Sequence, residues 1–134
     1  MIEKVFPASD EAFKDVMAFV ESELENADVP MKISMQITIA VEEIYVNIAH
    51  YAYPNGDGMM TLGIDANAKQ VAIVFTDSGL PFNPLEKEDP DITLGAEQRS
   101  IGGLGIFIVK KSMDSVTYVR EDDKNILTIT KTIA

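Results

Sequence analysis

Ile37-Thr38-Ile39-Ala40-Val41-Glu42-Glu43-Ile44-Tyr45-Val46-Asn47-Ile48 sets two acids and an amide inside an otherwise apolar stretch. Ile33, Ile37, Ala40, Val41, Ile44 and Ile48 recur at three- and four-residue spacing, which is the period of a helix with one buried stripe. Pro30 suits the first turn of that helix, and Pro54-Asn55-Gly56 stops it. A four-residue step places Glu43 and Asn47 on one helical face, in a stripe with Gln36 and Ala40 that borders the buried one. The pair is expected at the edge of the core, facing a cleft. By itself, a Glu-x-x-x-Asn pair more often marks a solvated helix edge.

Working outward, Lys4 to Phe6 reads as a short strand, and Ser9 or Asp10 offers the N-cap of a first helix. Phe13, Val16, Met17, Val20 and Leu24 give that helix its apolar stripe, and it should end near Asn26. Met59 to Asp65 and Gln70 to Thr76 form a hairpin around Ala66-Asn67-Ala68-Lys69. Val71, Ile73, Val74 and Phe75 point to burial on both faces of its second strand. From Asp77 to Gly103 the pattern dissolves into Gly, Pro and acidic residues, a length that is usually functional in a compact domain. Residues 83–101 are read as a mobile lid. Leu104 to Met113 returns to helix, and strands at Val116 to Arg120 and Ile126 to Ile133 flank a turn at Asp122-Asp123-Lys124-Asn125. Thr128, Thr130 and Thr132 alternate with apolar residues, so the far sheet face should be solvated. The expected fold is an α/β (α+β) two-layer sandwich formed by a single domain over 1–134, with three helices on one face of the sheet.

Composition narrows the function classes. At 134 residues the chain has room for one core, and with 46% hydrophobic residues its make-up is that of an ordinary globular domain. No apolar run is long enough to span a membrane. The N-terminus lacks the pattern of a signal peptide and there are no cysteines, so a cytoplasmic location is expected. A net charge of −11 without a basic patch argues against direct contact with nucleic acid or with an anionic membrane.

Two more motifs carry chemistry. Thr76-Asp77-Ser78-Gly79-Leu80-Pro81-Phe82 puts a carboxylate and a glycine directly after an apolar strand, where the acid can accept from an amine and Gly79 can let backbone approach a flat ligand. An Asx-turn ending the strand is the structural alternative. Ile101-Gly102-Gly103-Leu104-Gly105-Ile106 opens a helix, where closely spaced glycines expose backbone N–H groups beside the positive end of the dipole. Phosphate oxygens fit such a site, and so does a hinge.

In this order, residues 43–47, 77–82 and 102–105 resemble the N, G1 and G2 boxes of the GHKL ATPase superfamily. The short length, the Asp-x-Gly-x-Pro-Phe motif and the run from Gly102 to Val116 resemble the stand-alone anti-sigma-factor serine/threonine kinases. The resemblance spans about Phe6 to Lys131. It implies a Bergerat-type ATP-binding fold with a mixed, mostly antiparallel sheet of about five strands. It implies ATP and Mg2+ as ligands, with Asn47 on the metal, Asp77 on the adenine amino group and Gly79 leaving room for the base. Gly102, Gly103, Leu104 and Gly105 would face the phosphates, and Arg99, just before them, is either a partner for phosphate charge or a surface arginine. Glu43 would be the catalytic base. In kinases of this type a histidine usually occupies the place of Tyr51, whereas here His50 lies one residue earlier and is read as a helix-end or packing residue.

The expected function is an ATP-dependent serine/threonine protein kinase that phosphorylates an anti-sigma-factor antagonist, with sequestration of a sigma factor and homodimerisation as further expectations by family analogy. The alternative is a nucleotide-gated interaction module with little or no kinase activity. A histidine-kinase catalytic domain fits less well, because the sequence shows neither dimerisation helices nor a phosphoacceptor segment.

Overall fold

A computed structural model of the chain describes residues 1–54, 56–86 and 103–133. Strand β1 (Ile2–Pro7) leads through a short 3-10 turn at Asp10–Ala12 into α1 (Phe13–Asn26). Helix α2 (Met31–Tyr51) follows, then the hairpin β2 (Met59–Ala66) and β3 (Gln70–Asp77). After a 3-10 turn at Pro84–Glu86 come α3 (Gly103–Ser112), β4 (Ser115–Glu121) and β5 (Lys124–Thr132). The lid expected over 83–101 lies, from residue 87 onward, outside the described residues, as do Arg99 and Gly102.

The strand order is β1-β2-β3-β5-β4, and all four pairings are antiparallel. Sheet and helices share one core. Val16, Val20 and Leu24 of α1, Ile37, Val41, Ile44 and Tyr45 of α2, and Val109 of α3 meet Leu62, Ile64, Ile73, Phe75 and Ile129 of the sheet. Burying a side chain of this kind is worth about 1.5–3 kcal/mol, so the inward stripes of α1 and α2 hold the two layers together. Among the described residues no helix is long and apolar enough to cross a membrane.

Several local expectations shift. β3 alternates strictly: Val71, Ile73 and Phe75 are buried, while Ala72, Val74 and Thr76 are half-buried. It therefore buries one face rather than two, because helices cover only that side. The alternation carries Asp77 inward as the last residue of β3, where the sequence places it after the strand. The β4–β5 turn is tighter than four residues. Asp122 and Asp123 take φ of 52° and 61°, a left-handed pair that aspartate tolerates and a two-residue hairpin requires. Lys124 and Asn125 consequently belong to β5. Pro30 caps α2 from outside instead of entering its first turn. His50 closes the last turn of α2 and pairs with Asp10 at 2.8 Å, as a helix-end residue.

Candidate functional site

The registers place Met60 opposite Asp77, Asp77 opposite Asn125 and Asn125 opposite Arg120, a row across four strands. Above this row, between α2, the first turn of α3 and the sheet, lies a cavity. Its walls are apolar, from Ile44, Ile48, Phe75, Ile106 and Leu127, and its polar groups are Asn47, Asp77, Tyr118 and Asn125. Tyr51, Leu80 and Phe82 line it too, although each is substantially exposed elsewhere. The enclosed space is only about 40 Å³, against roughly 300–1,000 Å³ for pockets that hold a cofactor-sized ligand. A large ligand therefore requires these exposed side chains to move aside.

Asp77 is 5% exposed. Its Oδ1 accepts from Gly79 N at 2.9 Å, which is the Asx-turn, and from Asn125 Nδ2 at 2.9 Å. Oδ2 has no hydrogen-bond partner among the described residues, and the side chain lines the cavity. A buried carboxylate oxygen without a donor is costly, of the order of 1–3 kcal/mol. The Asx-turn is thus present and occupies one oxygen only.

Gly79 is buried for a reason of packing. A β-carbon there would fall 2.6 Å from Ala52 Cβ and 2.7 Å from Ala52 C, and Leu80 N donates to Ala52 O at 2.9 Å. The absent side chain lets the loop after β3 touch the end of α2, so Gly79 faces Ala52 rather than the cavity. Tyr53 secures the same loop by accepting from Ser78 N at 2.8 Å and donating to Met59 O at 2.6 Å. Burial raises its phenol pKa above the usual value, the Ser78 hydrogen bond opposes this, and the nearby Asp77 charge adds to it. Arg120 Nη1 donates to Gly79 O at 2.9 Å from the far side.

Glu43 and Asn47 lie one turn apart on α2 and both are half-buried. Asn47 lines the cavity; Glu43 does not. The Glu43 carboxylate rests against Gly105 of α3, where a β-carbon would come within 2.9 Å of Cδ and closer still to Oε2. Among the described residues neither side chain has a hydrogen-bond partner, so both are free to engage a ligand. Gly103 opens α3, and Ile106, one turn in, lines the cavity, which brings the start of this helix to the site. No cluster of three or more acidic, histidine or cysteine side chains able to hold a metal occurs among the described residues. A lone Asn47 oxygen fits magnesium that keeps its waters and shares ligand phosphates, not a self-sufficient metal site.

The site thus gathers Asn47, Asp77 and the start of α3, with Glu43 at its margin. Sequence reading missed Asn125 and Tyr118. Leu127 and Ile129 point inward, and stepping back two residues along the strand makes Asn125 point inward as well. The four-residue turn assignment concealed that signal.

The profile of the histidine kinase-like ATPase domain matches residues 6–131. The chain is 23% identical over 100 residues to the serine/threonine-protein kinase BtrW of Bordetella bronchiseptica, covering 74% of this chain and 70% of that protein. It is 31% identical over 104 residues to the serine-protein kinase RsbW of Halalkalibacterium halodurans, covering 71% of this chain and 60% of that protein. To the serine-protein kinase RsbW of Bacillus mycoides it is 28% identical over 93 residues, 66% of this chain and 58% of that protein. The alignment thus spans about three fifths of the length of the two RsbW relatives. A match over almost the entire chain, on a five-stranded antiparallel sheet with helices on one face, makes this protein a member of the histidine kinase-like ATPase domain family.

Proposed function

We propose that the protein is an ATP-dependent serine/threonine protein kinase of the anti-sigma-factor type, whose substrate is an anti-sigma-factor antagonist. The observation that carries this reading is buried Asp77, whose Oδ2 has no partner among the described residues and would accept the adenine amino group. The names of the relatives, all protein kinases, support the reaction type. Asn47 would offer its side-chain oxygen to magnesium, and the N–H groups of residues 102–105 would hold phosphate oxygens at the positive end of α3. Arg99, outside the described residues, would add positive charge there. Binding of a sigma factor and a homodimeric state belong to the same proposal by family analogy.

Mg-ATP, when bound, would supply the γ-phosphoryl group, with the metal offsetting the negative charge of its oxygens. The chain's own part is to place an acceptor hydroxyl in line and to remove its proton. Glu43 accepts that proton as the hydroxyl oxygen bonds to the γ-phosphorus, and the bond to the ADP oxygen breaks. Its carboxylate would act from its place against Gly105, beside the start of α3, where the phosphates would lie.

A second reading, a nucleotide-gated interaction module with little kinase activity, draws on one observation: Glu43 stands against Gly105 and not on the cavity. Labelled ATP and a lysate of the source cell separate the two. The kinase reading expects a protein labelled by the natural chain and not by Glu43→Gln, with Mg-ATP affinity unchanged. Equal labelling by both removes Glu43 as the base, and no labelling by either favours the module.

A further inference from the structure

Asn125 is a fully buried amide, 6% exposed, whose hydrogen-bonding capacity is completely used. Nδ2 donates to Asp77 Oδ1 at 2.9 Å and to Leu80 O at 2.8 Å. Oδ1 accepts from Tyr118 OH at 2.5 Å and from Phe82 N at 3.4 Å. The amide can stand only one way round. Exchanging its oxygen and nitrogen would set a carbonyl against a carboxylate and another carbonyl, and an NH2 group against the Phe82 N–H.

This arrangement decides which oxygen of Asp77 meets the ligand. Gly79 N and Asn125 Nδ2 converge on Oδ1, and none of the described residues donates to Oδ2. A carboxylate at the end of a strand can rotate about its last bond and offer either oxygen at any angle. The Gly79 bond alone leaves that rotation partly open, since its partners are only two residues apart at the end of β3. The Asn125 bond crosses from β3 to β5, where the two residues face each other in register, and closes it. Through Leu80 O and Phe82 N the same amide fixes the mouth of the cavity relative to the acceptor. Asn125 therefore ties the acceptor and the entrance to one point.

We propose that Asn125 is the positioning residue of base recognition, pinning Asp77 so that Oδ2 stands as a preorganised acceptor for an exocyclic amino group on the purine. The inference rests on the adenine reading of Asp77 and goes further, since it assigns the selectivity for an amino-bearing base to a residue whose hydrogen bonds all go to the protein. A preorganised acceptor gives its full strength only to a ligand that carries the donor. Loss of Asn125 should therefore weaken the ligand with the amino group more than the one without it.

The experiment compares ATP with purine riboside triphosphate, which is ATP lacking the 6-amino group, by calorimetry with magnesium present. The natural chain should prefer ATP by about tenfold or more, the usual worth of a hydrogen bond to a charged group. In Asn125→Leu the preference should fall to within about threefold. Asn125→Ser, whose short hydroxyl cannot span to Asp77, provides the same comparison if the leucine variant fails to fold. Tyr118→Phe, which keeps both Nδ2 donors, should retain most of the preference. If both nucleotides weaken equally in the Asn125 variants, the residue is merely structural and the proposal is overturned, as it is if the preference survives. A natural chain that binds the two nucleotides equally well would instead overturn the adenine reading of Asp77, a separate and recognisable failure.

Discussion

The carboxylate of Glu43 rests on Gly105, one helix touching the other through an acid and the absence of a side chain. Gly105→Ala should displace the carboxylate without disturbing the core, because the atoms that must move are the far end of a flexible side chain. Alanine is also favoured over glycine within a helix by about 0.5–1 kcal/mol. The variant is expected to melt at the same temperature or higher, yet to transfer phosphoryl groups at least about tenfold more slowly. Thermal melts beside single-turnover labelling check this, and an unchanged rate would show that Glu43 works from a different rotamer.

Gly79→Ala should behave in the opposite way. Its β-carbon meets the backbone of Ala52, which cannot swing aside, so the loop must separate from α2 and lose the Leu80 N to Ala52 O bond. Overpacking of this kind costs about 1–3 kcal/mol. Denaturant titration should show that loss, and weaker nucleotide binding should accompany it.

Asp77→Ala leaves Asn125 Nδ2 and Gly79 N without their shared acceptor in a buried place. A stability loss of about 1–3 kcal/mol is expected, together with loss of Mg-ATP binding in calorimetry. Asp77→Ala with full stability and full affinity would contradict both roles given to this residue.

The alkaline limb of stability reports on Tyr45 and Tyr53. Burial is the leading cause that raises each phenol above its usual value of 10.0. The folded state then holds protons that the unfolded chain releases, so this contribution is complete below about pH 10 and is lost as pH rises through the folded values. Stability measured from pH 8 to 11 should fall above 10, and less steeply in Tyr53→Phe. An equal slope in that variant would assign the alkaline loss to other groups.

Much of this was legible along the chain. The stripes Val16-Val20-Leu24 and Ile37-Val41-Ile44 are buried as their spacing requires, and the five strands and three helices lie close to where the sequence puts them. Errors fell at turns and strand ends. Asp122 and Asp123 form the hairpin alone, which a composition of four polar residues hides, and Asp77 and Asn125 are polar residues held inside by the pleat. Single-residue polarity argues for exposure at both positions, but pairing across two strands supplies each with its partner.

The layers and the order of the motifs can be read along the chain, because helical and strand periods are local properties of side-chain spacing. The sequence also placed Glu43 and Asn47 one turn apart, since the rise of a helix is fixed. Folding adds that Asn47 lines the cavity while Glu43 turns to Gly105, and that Asp77 meets Asn125, 48 residues away. Those relationships depend on which strands become neighbours and how two helices pack. Both are set by burying the whole core at once, and no stretch of the chain records them alone.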